Sequence, residues 1–213
     1  MTPRVLIADD HAPTRAGVRR VLEEAGFTVC AEEADATRAV EAALRVRPDV
    51  CLLDVRMPGG GGVAAAAEIA RRLPEVRIVM LTVSRDDDDL FDALRAGATG
   101  YLLKDIERAK LPDALRSVLD GEAQLPASLV ARVLDEFRDR QARRRVLLEQ
   151  RPAADLRPRE WEVLELLGDG LTTGEIAARL FIADVTIRSH VSAILRKLRV
   201  PDRKAAVELL TER

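Results

Sequence analysis

The chain has 213 residues, a formal net charge of −2 and 47% apolar residues, enough to bury the core of one large domain or two small ones. No apolar run approaches the roughly 20 residues of a membrane span, and Met1-Thr2-Pro3-Arg4 enters an apolar strand without the layout of a signal peptide. The two cysteines, Cys30 and Cys51, sit inside apolar stretches as small core residues, which argues against a disulfide framework and fits a cytoplasmic protein.

Charge is unevenly spread. Residues 1–121 carry 17 basic and 21 acidic side chains, 122–157 carry 8 and 6, and 158–213 carry 9 and 9. Bulk charge therefore does not mark a nucleic-acid binder; such a function has to come from local placement.

Up to about residue 121, short apolar runs alternate with longer amphipathic stretches. The pattern predicts strands near 4–9, 28–33, 49–54, 77–82 and 100–103, with helices over 12–25, 35–47, 62–73, 86–97 and 107–120. Repeated βα units imply a parallel sheet covered on both faces, and five strands in this rhythm fit an α/β flavodoxin-like doubly wound fold. Gly59 to Gly62 form a loose turn after Pro58, and Gly97 and Gly121 fall where helices end.

The segment 122–155 reads as a helical linker. Leu129, Val130, Val133, Leu134 and Phe137 recur at helical spacing, charge takes over from Arg138 to Arg145, and Pro152-Ala-Ala-Asp155 breaks the pattern into a short tether. The run Arg143-Arg144-Arg145 is expected to be a solvated face. From Leu156 the rhythm is purely helical. Pro158 opens a first helix and Thr172-Thr-Gly-Glu175, a capping-box pattern, a second; further helices follow near 184–198 and 202–212. Four short helices, with a tight connection between the second and third, predict a small all-α helix-turn-helix domain over 156–213.

Polar groups gather at one end of the predicted strands. Asp9 and Asp10 close the first apolar run, Asp54 the third, Thr82 the fourth and Lys104 the fifth. In a parallel sheet a site assembles at that rim. Carboxylates are poor nucleophiles toward phosphorylated donors unless charge repulsion is removed. A magnesium ion on Asp9, Asp10 and Asp54 supplies this, with Lys104 neutralising a phosphoryl oxygen and the Thr82 hydroxyl free to turn toward the group. His11 is expected to stay at the surface, and Asp86 to Asp89 to complement a helix N-terminus.

Asp9-Asp10-His11, Asp54-Val-Arg-Met-Pro58, Leu81-Thr82 and Ala96-Gly97-Ala98-Thr99-Gly100-Tyr101-Leu102-Leu103-Lys104 resemble the receiver domain of bacterial response regulators across residues 1–121. The resemblance implies that Asp54 accepts phosphate from a sensor histidine kinase. It also implies that Asp10 binds Mg2+ directly, Asp9 through water and Arg56 by its backbone carbonyl. Thr82 and Tyr101 would be paired switch residues, Tyr101 rotating inward once Thr82 is drawn to the phosphoryl group.

In the predicted third C-terminal helix, Ile187, Val191, Ile194 and Leu198 form a buried stripe, while Thr186, Arg188, Ser189, Ser192, Arg196 and Lys197 fall mostly on the other side. Such a helix suits the major groove of double-stranded DNA, with Arg188 the best candidate for a guanine. Leu171-Thr-Thr-Gly-Glu175-Ile-Ala-Ala-Arg-Leu180, Thr186-Ile-Arg-Ser-His-Val191 and Ile194-Leu-Arg-Lys-Leu198 resemble the LuxR-type helix-turn-helix, so that the whole chain is similar to the NarL/FixJ-type response regulators. A homodimer on DNA is expected when the chain is phosphorylated, with Ala205, Ala206, Leu209 and Leu210 a candidate contact of which some must pack inward. Gly174 and Val185 stand where lysine is common. Ala183 replaces a serine cap, so Asp184 is expected to cap one residue later, and Arg199 replaces a glycine at a left-handed helix end.

Two other classes compete. A phosphohydrolase using Asp54 as nucleophile generally wants a second carboxylate two residues on, where Arg56 stands. A regulator acting through protein contacts would keep the helical module but bind DNA weakly.

Overall fold

Val5 to Ala8, Val50 to Leu53 and Ile78 to Leu81 are apolar throughout, the pattern required of strands covered on both faces. In the computed structural model, which describes residues 2–84, 87–150 and 154–211, these runs lie in a five-stranded parallel sheet. The strands β1 (Arg4–Ala8), β2 (Thr28–Glu33), β3 (Val50–Leu53), β4 (Arg77–Thr82) and β5 (Gly100–Leu103) alternate with α1 (Ala12–Glu24), α2 (Ala36–Val46), α3 (Gly61–Arg72), α4 (Asp87–Arg95) and α5 (Leu111–Leu119). The order β2-β1-β3-β4-β5 is that of the doubly wound flavodoxin-like fold, whose direction reverses between β1 and β3.

Alternating residues of each strand serve opposite faces. Val5, Ile7, Val50, Leu52, Val79 and Leu81 join Leu22 of α1 and Leu115 and Val118 of α5 in one core. On the α2 and α3 side the buried residues are largely alanines, among them Ala39, Ala43, Ala65 and Ala66, whose small side chains let these two helices pack closely. Cys51 is fully buried, and desolvation pushes its thiol well above the ordinary range, so it acts as a small core residue.

After α5 the chain does something the sequence does not announce. Gln124 runs beside β5, with its carbonyl accepting from Tyr101 N–H at 2.8 Å and its N–H reaching Thr99 O at 3.4 Å. The helix α6 (Ala127–Gln150) follows. The chain divides into two compact units, one ending at Val130 and the other starting at Ala131, so the division falls inside α6.

The second unit contains the rest of α6 with α7 (Pro158–Gly168), α8 (Thr173–Arg179), α9 (Asp184–Leu198) and α10 (Arg203–Thr211). Leu147 of α6 is fully buried in the same core as Trp161, Leu164, Ile176, Ile187 and Ile194. The segment expected to be a linker is thus helical for most of its length, and its second half is part of the bundle. The expected break at Pro152-Ala153 and the start of the Asp86 to Asp89 run lie outside the described residues.

Local signals set the helix ends. Thr172 Oγ1 accepts from Glu175 N–H while a Glu175 carboxylate oxygen accepts from Thr172 N–H at 2.7 Å, the expected capping box. The turn between α8 and α9 is made by Phe181 at φ 53°. Ala183 takes the N-cap position of α9 without a side-chain bond, and Asp184 does not cap; it lies in the first turn and pairs with Arg188 at 2.7 Å. Arg199 adopts the expected left-handed conformation, φ 56° and ψ 46°, which is costly for a residue with a Cβ. Arg199→Gly is therefore expected to stabilise the second unit by about 1 kcal/mol, less the extra chain entropy of glycine. Thermal melts of the full chain would show its transition rising by a few degrees.

Candidate functional site

Asp9 follows β1 and Asp54 follows β3, the adjacent central strands at the switch point, and both carboxylates are buried, 3% and 5% exposed. Two buried like charges this close need a counterion. Lys104, immediately after β5, supplies it: its Nζ lies 2.7 Å from Asp9 Oδ2 and 2.7 Å from Asp54 Oδ2. Burial on its own lowers the Lys104 pKa, but the hydrogen bonds and charges of Asp54 and Asp9 outweigh it and hold the ammonium above the ordinary lysine value of 10.5.

Asp10 is exposed at the same rim, and Asp9, Asp10 and Asp54 each offer an oxygen within 4.8 Å of the others. Three hard oxygen donors open to solvent on one side fit a hard divalent cation such as Mg2+. The Asp9 turn is fixed by His11 N–H donating to Asp9 Oδ1 at 2.9 Å and Arg15 donating to the Asp9 carbonyl at 2.5 Å. His11 itself remains exposed, its Nδ1 2.8 Å from Thr14 Oγ1.

The loop after Asp54 is held from below. A Cβ on Gly62 would fall 1.8 Å from the Asp54 carbonyl oxygen, so the first turn of α3 packs directly on the backbone of Asp54. Arg56 N–H makes a long 3.4 Å contact to Asp54 Oδ1, and its guanidinium lies 3.7 Å from Asp89. Asp89, expected only to complement a helix N-terminus, also accepts from the Ser84 hydroxyl at 2.5 Å.

Thr82 and Tyr101 meet at Ser84. The fully buried Thr82 hydroxyl accepts from Ser84 N–H at 3.1 Å, and the Tyr101 hydroxyl donates to the Ser84 carbonyl at 3.2 Å. Tyr101 has no exposed surface. Its ring thus already occupies the inward position that was expected to follow modification of Asp54. The contacts made by Gly62, Ser84 and Asp89 escaped the sequence-based expectations. The four-glycine run was the one available signal for Gly62; the other two depend on tertiary contact.

In the second unit, α9 buries Ile187, Val191, Ile194 and Leu198 as predicted and exposes Thr186, Arg188, Ser189, Ser192 and Arg196. Lys197 departs from its expected role. Its Nζ is bound at 2.7 Å to buried Glu160 of α7, which also accepts from Arg157 N–H. Burial raises the Glu160 pKa, yet Lys197 and the backbone N–H more than compensate and hold it below the usual carboxylate range. Lys197 is thereby engaged with the interior of the bundle.

Of the run Arg143 to Arg145, only Arg145 is the expected solvated residue; the other two are half-buried. Arg143 pairs with Asp169, and Arg144 lies over the Trp161 ring at 5.3 Å while bonding buried Glu165 at 3.1 Å. On α10 the residues that pack inward are Ala206, Leu209 and Leu210, all buried in the core, while Ala205 is half-buried.

Residues 5–116 match the family model of the response regulator receiver domain, and residues 154–210 that of bacterial regulatory proteins of the luxR family. The chain is 35% identical to the transcriptional regulatory protein DegU of Brevibacillus brevis, over 96% of this chain and 91% of the relative. Among solved structures it is similar to the response regulator RcsB of Salmonella typhimurium, with 29% identity, 99% and 98% coverage and a TM-score of 0.57. A structure of two RcsB dimers bound to two parallel DNAs matches equally, with 29% identity, 99% and 98% coverage and a TM-score of 0.57.

Two outcomes test this geometry. Gly62→Ala should push the Asp54 backbone aside, costing about 1–3 kcal/mol of stability as read by urea unfolding. Because the Lys104 pKa is raised, its stabilisation is complete below the ordinary lysine range and fades as pH rises through the shifted value. The stability gap between wild type and Lys104→Met, followed by urea unfolding, should stay constant through neutral pH and close only above pH 10.5.

Proposed function

The chain belongs to the two-component response regulators that join a receiver domain to a LuxR-type DNA-binding domain, and we propose that Asp54 is its phosphoacceptor. The boundaries proposed are a receiver domain over 1–121, a helical linker over 122–155 and a helix-turn-helix domain over 156–213. The single observation carrying the proposal is the Lys104 ammonium between the buried carboxylates of Asp9 and Asp54, with Asp10 at their open side.

A sensor histidine kinase presents its phosphohistidine at this rim. An Asp54 carboxylate oxygen forms the new bond to phosphorus, the donor P–N bond breaks, and the released imidazole takes up a proton from water. Lys104 leaves its bridging position to hold an equatorial phosphoryl oxygen. Thr82 supplies its hydroxyl to another and releases Ser84 N–H as it does so. Asp10, Asp9, Asp54 and the Arg56 backbone carbonyl would hold Mg2+, which when bound would supply charge neutralisation for the phosphoryl oxygens. Thr82 and Tyr101 meet at Ser84, and this supports their assignment as a coupled pair.

The output is sequence-specific DNA binding by a homodimer, with half-sites near one helical turn apart, about 34 Å. Thr186, Arg188, Ser189 and Ser192 face the bases, and Arg196 reaches a phosphate. The cytoplasm is the compartment in which a kinase and DNA are both within reach. Turnover of external phosphate esters is not expected, because Arg56 stands where such enzymes place their second carboxylate.

Acetyl phosphate should label the wild-type chain and leave Asp54→Asn unlabelled, as read by mass shift of the intact protein. Labelling elsewhere would sink the assignment. On genomic fragments, Arg196→Ala should reduce the salt slope of binding by about 0.9. A wild-type slope near zero would favour protein partners instead.

A further inference from the structure

We infer that Val185 is a specificity-determining residue that reads the C5-methyl group of a thymine in the major groove. This rests on the DNA-binding function proposed for α9. Val185 is 68% exposed, although it is β-branched and sits on the first turn of a helix whose Ile187, Val191, Ile194 and Leu198 are buried and whose Leu195 packs partly against the core. Among the described residues of the exposed face of α9, it is the one large apolar side chain. It therefore contributes little to the bundle core, and the cost of leaving it in water is uncompensated within the unit.

Its position supplies an occupant. Val185 lies one turn before Arg188 and Ser189 and two before Ser192, so all four share one side of the helix. The N-terminal turns of a recognition helix are those that approach base edges.

The chemistry of its neighbours narrows the choice. The Ser189 hydroxyl donates to the Val185 carbonyl at 3.0 Å and the Ser192 hydroxyl donates to the Arg188 carbonyl at 3.0 Å. Both protons are thus spent on the helix's own backbone. Arg188 is held toward the N-terminus by Asp184, in an exposed pair that is weak and separable, and it remains suited to guanine. Val185 can donate no hydrogen bond and carries no charge for a phosphate. The apolar group that a base edge shows in the major groove is the thymine methyl.

The consequence is a half-site in which a thymine lies within a base pair or two of the guanine taken by Arg188. Covering one methyl removes about 0.8 kcal/mol of hydration cost, which is about fourfold in affinity.

The test uses the full chain treated with beryllofluoride to select duplexes from a random pool. Affinities are then measured on the selected duplex with each thymine replaced in turn by deoxyuridine, which lacks the methyl. One replacement per half-site should weaken wild type about fourfold and leave Val185→Ala nearly unaffected. Val185→Lys should lose the methyl dependence and steepen the salt slope by about one phosphate contact. If a duplex is selected but no deoxyuridine matters, or Val185→Ala responds as wild type does, the inference falls and DNA binding stands. If no duplex is enriched, the DNA-binding proposal falls and takes the inference with it.

Discussion

Asp9 and Asp54 are buried side by side at the ends of neighbouring strands, and an amine brought from β5 keeps them there. Two desolvated carboxylates without a counterion would cost several kcal/mol. The sheet order explains where that amine must come from. Since β4 separates β3 from β5, Lys104 has to cross the end of β4, where Thr82 stands. A lysine suits the task because it is a mobile point charge on a long stem, able to follow whichever oxygens dominate at the rim. The acidic pair, the lysine and the hydroxyl are therefore consequences of one parallel topology.

The helical unit applies the same electrostatic rule to a different end. Its α7 buries two acids, Glu160 and Glu165, and each is met by a cation from another helix: Lys197 of α9, and Arg140 with Arg144 of α6. Removing either partner leaves an unpaired buried charge, so these contacts fix how the recognition helix and the incoming helix sit on α7. Charge that looks available for nucleic acid in the sequence is in part committed to internal geometry. What remains exposed on α9 is a short face that runs from Val185 and Thr186 in the first turn through Arg188, Ser189 and Ser192 to Arg196.

Much of this was legible in the residues. Strand ends carrying Asp9, Asp10, Asp54, Thr82 and Lys104 had to share one rim once the strands were parallel, and the buried stripe of α9 followed from its spacing alone. The capping box at Thr172 was also readable because it is local, whereas the left-handed end at Arg199 followed from the resemblance, which puts a glycine there. Illegible were contacts whose partners lie far along the chain: Lys197 meets an acid 37 residues away and Arg144 one 21 residues away. No periodicity reports such a pairing. Gly62 was hidden for a related reason, since its need for a bare Cα comes from the backbone of Asp54 and not from its own turn.

An open parallel sheet ends in a row of unsatisfied peptide groups that invites pairing with a foreign strand. Here Gln124 lies against β5 beside Thr99 and Tyr101, so the chain shields that border with its own backbone before α6 begins. Any strand from another molecule seeking to extend the sheet at this point would first have to peel away residues around Gln124. At that one register position, the peptide groups of Thr99 and Tyr101 are already satisfied from within the chain.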